Sequence, residues 1–314
     1  MKRLRRKLLF SRAHRTFIHW ARRIVPPGFD GFSLYAIGRF FFQALDQGRV
    51  ETRASAISFK VFIAFFPAVI VVLTLIPYIP IPDAQERMLA TFQEQMPAAV
   101  FGFIEGQLHD LLVKKHVTLL SVSFLVGLYA ASNSIMAFLL GFSGSSNLST
   151  HHSPLKQRLL SLALLFALTV LLVIAIPVLT FSDAAIRWLE AKHIIFGSLE
   201  KFGLYAAKWG ISTFLLLVII GLLYRAGDPH AHRFKLFSPG ALLALFLMLL
   251  ISQGLAYFFE NVTDYNALYV SIGTILAVLF WIYLNVVALL IGFELNTSIG
   301  RARRHNSGEL RVRT

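Results

Sequence analysis

The chain has 314 residues, 56% of them hydrophobic and only 15% charged, with a formal net charge of +14. A soluble domain runs at about 25% charged and cannot bury this much apolar surface, so a soluble globular enzyme or binding module is excluded. Cysteine is absent, which removes disulfide frameworks, thiol nucleophiles and cysteine-based metal centres.

Residues 1–25 mix nine Lys and Arg with Leu4, Leu8, Leu9, Phe17, Ile18, Trp20 and Ile24. A helix here would lie in the membrane interface with its basic side on lipid phosphates; a basic tail without structure is the alternative. No apolar core of a signal peptide follows the basic start, so no cleavable leader is expected. Pro26-Pro27-Gly28 interrupts the chain. Ser33 is placed to cap a second helix. Leu34, Ile37, Phe41 and Ala44 then share one face and predict another interfacial helix.

Six apolar runs follow: Ala56–Ile79, Val117–Phe142, Leu159–Phe181, Leu204–Tyr224, Ala241–Phe259 and Ile272–Leu295. A hydrocarbon core about 30 Å thick needs about 20 apolar residues in a helix, and each run suffices. The fold class expected is all-α: a polytopic helical membrane protein with six transmembrane helices, interfacial N-terminal helices and an external helical hairpin. The divisions are a basic segment 1–53, a six-helix domain 54–300 and a basic tail 301–314. The hairpin belongs to the long loop 77–116. There Asp83 and Glu86 suit a helix start, Met88, Phe92 and Met96 share a face, and Pro97 separates a second stripe of Val100, Phe103, Ile104, Leu108, Leu111 and Leu112. The loop Gly144-Ser145-Ser146-Asn147-Leu148-Ser149-Thr150 reads as a flexible polar linker.

Charge follows the loops. Basic residues crowd the N-terminal segment, the loop with Lys156 and Arg158, the loop with Arg225, Arg233 and Lys235, and the tail with Arg301, Arg303, Arg304, Arg311 and Arg313. The alternate loops are acidic, balanced or free of Lys and Arg. This pattern predicts a multi-pass protein of a bacterial inner membrane with both termini cytoplasmic. It also makes the basic excess a topology signal and a contact with anionic headgroups rather than a nucleic-acid surface.

Ionisable groups in spans are costly and mark candidate sites. Lys60 lies seven residues beyond Arg53 in span one, and Glu294 seven residues before Arg301 in span six. Asn133, between Ser132 and Ser134, falls in the corresponding half of span two. Together they form a polar layer and a candidate substrate site, in which Lys60 and Glu294 would pair. In the alternative, Lys60 snorkels to headgroups and Glu294 merely ends its span. Pro67 removes a backbone hydrogen bond in span one; it, Trp281, Tyr283 and Asn285 are candidates for structural or gating roles. Asn285 is expected to bond another helix, and Ser252 and Gln253 offer similar polar contacts. His151-His152 and His230-Ala231-His232 have no partner at a recognised metal spacing. No metal or cofactor site is expected, no phosphate loop or nucleophile elbow is present, and an enzyme is not expected.

Several stretches resemble the YihY/BrkB family of bacterial inner-membrane proteins. They are Arg53-Ala54-Ser55-Ala56-Ile57-Ser58-Phe59 with Phe65-Phe66-Pro67, Leu128-Tyr129-Ala130-Ala131-Ser132-Asn133-Ser134, Ser238-Pro239-Gly240-Ala241, and Tyr265-Asn266 with Tyr269-Val270-Ser271-Ile272. Trp281-Ile282-Tyr283 and Gly292-Phe293-Glu294-Leu295-Asn296 complete the set. The chain departs from the family at Val270, where glycine is usual. The resemblance implies six spans with both ends inside. An old ribonuclease BN label attaches to the family, but this chain offers no soluble catalytic domain and no ligand cluster to activate water on RNA. The functions to weigh are a transporter or translocase of a lipid or small molecule, a non-catalytic envelope assembly or structural protein, and, least, a membrane-bound ribonuclease. Partners expected are membrane lipids, an unidentified substrate and a further copy in a homo-oligomer, with no nucleic acid.

Overall fold

A computed structural model describes residues 31, 33–78, 84–95, 98–145, 148, 153–192, 198–229, 236–262 and 267–306. The first predicted interfacial helix, His151, His152, His230, His232, Tyr265 and Asn266 lie outside them. Among the described residues the fold is helical, as the sequence predicts: α1 (Leu34–Gln47), α2 (Val50–Leu75), a 3-10 turn (Ile76–Tyr78), α3 (Ala84–Gln95), α4 (Ala98–Val113), α5 (Val117–Ser143), α6 (Pro154–Ala191), α7 (Ser198–Gly227), α8 (Pro239–Val262) and α9 (Ala267–Asn306).

Among the described residues six segments are long and apolar enough to cross a bilayer: Val50–Tyr78, Val117–Ser143, Pro154–Ile176, Phe202–Gly227, Pro239–Phe258 and Ile275–Arg303. They coincide with the six apolar runs. Helices α6 and α9 are much longer than a crossing demands. At 1.5 Å per residue, the 40 residues of α9 reach about 60 Å.

The chain divides into two compact units, one of residues 1–53, 138–248 and 287–314, the other of residues 54–137 and 249–286. In the first unit, α1 begins where sequence signals place it, with the Ser33 hydroxyl accepting from the Ala36 N–H at 3.3 Å. Ile37 and Ala44 are buried one face along, and Ile37 packs with Ile299 and Ala302 of α9. The Arg301 guanidinium lies 5.1 Å from the Phe40 ring centroid. Gly48 caps α1, donating its N–H to the Ala44 carbonyl at 2.7 Å. Arg49, at φ +46°, turns the chain into α2. Helices α6 and α7 pack side by side in the same unit.

In the second unit, α3 and α4 form the predicted hairpin. They end and begin at Gln95 and Ala98, on either side of Met96 and Pro97, which lie outside the described residues. Ile76, Phe101, Leu108 and Leu112 form its core, with Leu73, Met88, Leu89 and Phe92 against it. The predicted stripe did not include Phe101. Helix α2 runs unbroken through Pro67, and Gly127 of α5 faces that proline. A Cβ on Gly127 would sit 3.5 Å from the Pro67 Cβ, an ordinary packing distance.

Candidate functional site

Glu294 is completely buried, an expensive state for a carboxylate unless its oxygens are matched by donors. They are. Arg53 Nη2 donates to Oε1 at 2.6 Å, and the Ser145 hydroxyl donates to Oε2 at 2.6 Å. Arg53 Nη1 also donates to the Gly141 carbonyl at 2.7 Å, and the Arg53 side chain is only 11% exposed. Each bond is charge-assisted and therefore stronger than a neutral one. The Thr297 hydroxyl stands 3.3 Å from that of Ser145. It donates back to its own helix, as does Ser298, whose hydroxyl reaches the Glu294 carbonyl at 2.6 Å.

Three helices supply this cluster. Arg53 stands in the first turn of α2, Gly141 in the last turn of α5 with Ser145 just beyond it, and Glu294 in the second half of α9. Glycines make room around the guanidinium. A Cβ on Gly48 would lie 2.8 Å from Arg53 Nη2, and one on Gly144 2.8 Å from Arg53 Cδ. Arg53 Nε is buried with no hydrogen-bond partner among the described residues.

Next to Glu294 along α9, Gly292, Phe293 and Asn296 fix α9 to its neighbours. Asn296 is bidentate towards the start of α8: its Oδ1 accepts the Gly240 N–H at 2.8 Å, and its Nδ2 donates to the Ser238 hydroxyl at 2.9 Å. The backbones of Gly240 and Gly292 touch, since a Cβ on either would collide with the other's carbonyl oxygen. Phe293 stacks on Phe142 at 4.3 Å between centroids, and Tyr224 stands edge-on to both. The Tyr224 hydroxyl is satisfied by the Leu289 carbonyl at 2.7 Å. Glycine contacts and buried polar bonds of this type hold membrane helices together, where apolar burial discriminates little between lipid and protein.

The residues singled out from sequence fare differently. Glu294 is the centre of the cluster, but the cation in contact with it is Arg53, a residue that opens one of the family motifs and was not named as a site residue, where one of the two sequence readings paired Glu294 with Lys60. Lys60 is exposed in the second unit, and its carbonyl accepts the Ser134 hydroxyl at 2.9 Å. Asn133 is half-buried in that unit. Trp281 donates to Ser252 at 3.4 Å, while Tyr283 stacks on Phe280. Asn285 donates to the Trp281 carbonyl of its own helix at 2.8 Å, where a bond to another helix was expected. Ser145, read as part of a flexible linker, is 3% exposed and fully engaged. Among the described residues no group of His, Asp and Glu could hold a metal ion. The hydroxyls of Ser145, Thr297 and Ser298 all donate to protein acceptors.

Comparison with known proteins agrees with these motifs. A Bacillus subtilis protein bearing the name ribonuclease-like protein YfkH is 24% identical over 255 residues, covering 81% of this chain and 91% of its own. A UPF0761 membrane protein of Xanthomonas campestris pv. campestris (strain B100) is 32% identical over 110 residues, or 35% of this chain. A counterpart in Xanthomonas axonopodis pv. citri is 31% identical over 110 residues. The chain spans only 26% of the length of either Xanthomonas relative. No solved structure matches. The family model described as virulence factor BrkB matches residues 41–313, from α1 through the whole membrane region, and the chain belongs to that family of integral membrane proteins.

Proposed function

We propose that this BrkB-family protein is a transporter or translocase of a lipid or small molecule, with a polar site in the half of the helices that carries Arg53 and Glu294. The observation that carries the reading is the wholly buried Glu294 carboxylate, held by Arg53 and Ser145 within helices of membrane-spanning length. Ionised side chains in spans are rare and mark substrate pathways and the devices that open and close them. In this reading the Arg53–Glu294 pair holds the first turn of α2 to the second half of α9, and Lys60 and Asn133 are proposed for the substrate path within the second unit.

The test is reconstitution into liposomes of the full chain, assayed for flipping of fluorescent phospholipids and for efflux of trapped charged and neutral solutes. Flux above that of empty liposomes, altered by Glu294→Gln, supports the reading. A wild-type protein inert in both assays removes it.

A second reading, a non-catalytic assembly or structural protein of the envelope, draws support from the complete satisfaction of Glu294 and the Gly240–Gly292 backbone contact, both features of a fixed scaffold. Here Glu294→Gln would lower thermal stability with no flux to lose. The ribonuclease in the Bacillus relative's name is the least supported activity, and incubation of purified protein with RNA tests it directly.

Both termini are proposed to be cytoplasmic, in a bacterial inner membrane. Because the chain lacks cysteine, single cysteines at Lys114 and Lys156, both exposed, report topology without background. An impermeant maleimide added to spheroplasts should label the first and spare the second.

A further inference from the structure

We infer that Lys60 is a docking point for the phosphate of an anionic phospholipid, whose chains lie along Phe59, Ile63 and Phe66. Lys60 is exposed on α2 next to three exposed apolar side chains, Phe59 at 59%, Ile63 at 46% and Phe66 at 48%. Spacings of three and four residues put these three on one side of the helix, with Lys60 at its edge. Such a surface faces hydrocarbon.

Depth makes the cation costly. The span Val50–Tyr78 has its midpoint at Ala64, four residues or about 6 Å from Lys60. With a hydrocarbon half-thickness of about 15 Å, the Lys60 backbone lies about 9 Å below the headgroups. Its side chain leans towards the N-terminal end of α2 and recovers part of that distance by snorkelling.

Among the described residues nothing supplies a counter-charge. Lys60 makes no ion pair among the described residues. Helix α5, which packs on α2 through Gly127–Pro67 and Ser134–Lys60, carries no acidic residue. Helix α2 carries only Glu51, nine residues earlier. Both oxygens of Glu294 are already engaged by Arg53 and Ser145. A phosphodiester drawn down from the adjacent leaflet supplies the missing charge and brings acyl chains that match the apolar side.

This inference deepens the transport reading by naming the substrate class, and rests on it only for the claim that the bound lipid is moved. The test uses full-length protein in nanodiscs, with a fluorophore on a single cysteine replacing Ile63. Quenching by trace brominated phosphatidylglycerol is compared with quenching by brominated phosphatidylcholine. Severalfold stronger quenching by the anionic lipid is expected, kept in Lys60→Arg and abolished in Lys60→Gln. A fluorophore at Phe166, 74% exposed on α6, should show no preference. Equal quenching by the two lipids at position 63, or a preference that survives Lys60→Gln, overturns the proposal. So does a change in oligomeric state on Lys60→Gln with no change in lipid preference, which would assign the counter-charge to a second copy. A lipid preference without flux in liposomes would leave the site standing and remove transport, so the two readings fail separately.

Discussion

Arg53 and Glu294 lie 241 residues apart in sequence and 2.6 Å apart in space. Removing one member of a buried pair strands the other charge, so Glu294→Gln and Arg53→Gln should each cost about 3 kcal/mol or more. The double variant should cost clearly less than their sum, with a coupling above about 1 kcal/mol. Thermal unfolding of the four proteins in detergent measures the cycle. Additive losses would mean that the two side chains act independently.

Glycine substitutions should divide sharply by position. Gly240→Ala and Gly292→Ala each drive a methyl into a carbonyl of the facing helix, and Gly48→Ala drives one into the Ala44 carbonyl and the Arg53 guanidinium. All three should yield little folded protein. Gly210→Ala and Gly254→Ala meet open space within α7 and α8. Helix propensity favours alanine there by about 0.5–1 kcal/mol, so these variants should unfold at the wild-type temperature or slightly above. Folded yield measured by fluorescence-detected size exclusion separates the two groups.

Asn296→Leu removes the acceptor for the Gly240 N–H and the donor to Ser238 in one step. Leaving buried polar groups unmatched costs about 1–3 kcal/mol each. The expected outcome is a lower melting temperature with early exchange of the first amides of α8, read by hydrogen–deuterium exchange. Asn296→Asp keeps the acceptor but not the donor, and should fall between Leu and wild type.

The α3–α4 hairpin carries a pH-dependent group. Lys114 Nζ lies 2.6 Å and His116 Nε2 3.0 Å from the Asp110 carboxylate. The Lys114 hydrogen bond is the largest effect and lowers the Asp110 carboxyl below the usual 3.8; burial comes next and opposes it, and the charges of Lys114 and His116 and the His116 hydrogen bond add to the lowering. A lowered carboxyl stabilises the fold above its unfolded pKa, and that contribution disappears as pH falls through the folded one. The exposed setting keeps the stability effect small. Carboxyl carbon NMR should therefore show Asp110 titrating below 3.8, and Lys114→Met should move the midpoint upward with little change in melting temperature.

The helices were legible because lipid and water impose periodicity and length on a local stretch. Ser33 opens α1, Glu86 lies in the first turn of α3, and six apolar runs became six helices of spanning length. Glu294 was legible as well, because a carboxylate among apolar residues is conspicuous. Its partners were not. Arg53 counts in sequence as one more basic residue ahead of a span, and Ser145 as one more small residue in a loop. Only tertiary packing distinguishes them from Arg49 or Ser143. Asn285 misled for a related reason: an amide in a helix can satisfy itself on the carbonyl one turn earlier, and did. The motif residues Ser238, Gly240, Gly292 and Asn296 carried the missing signal, since together they bring the start of α8 onto the second half of α9.

That junction has a mechanical consequence. Where two helices meet through side chains, rotamer changes let one slide past the other. Gly240 and Gly292 leave no side chain between the two backbones, and Asn296 bolts the next turn. The first turns of α8 and the second half of α9 must translate and rotate as one rigid lever. Whatever this protein does by moving, its joints lie elsewhere along the chain.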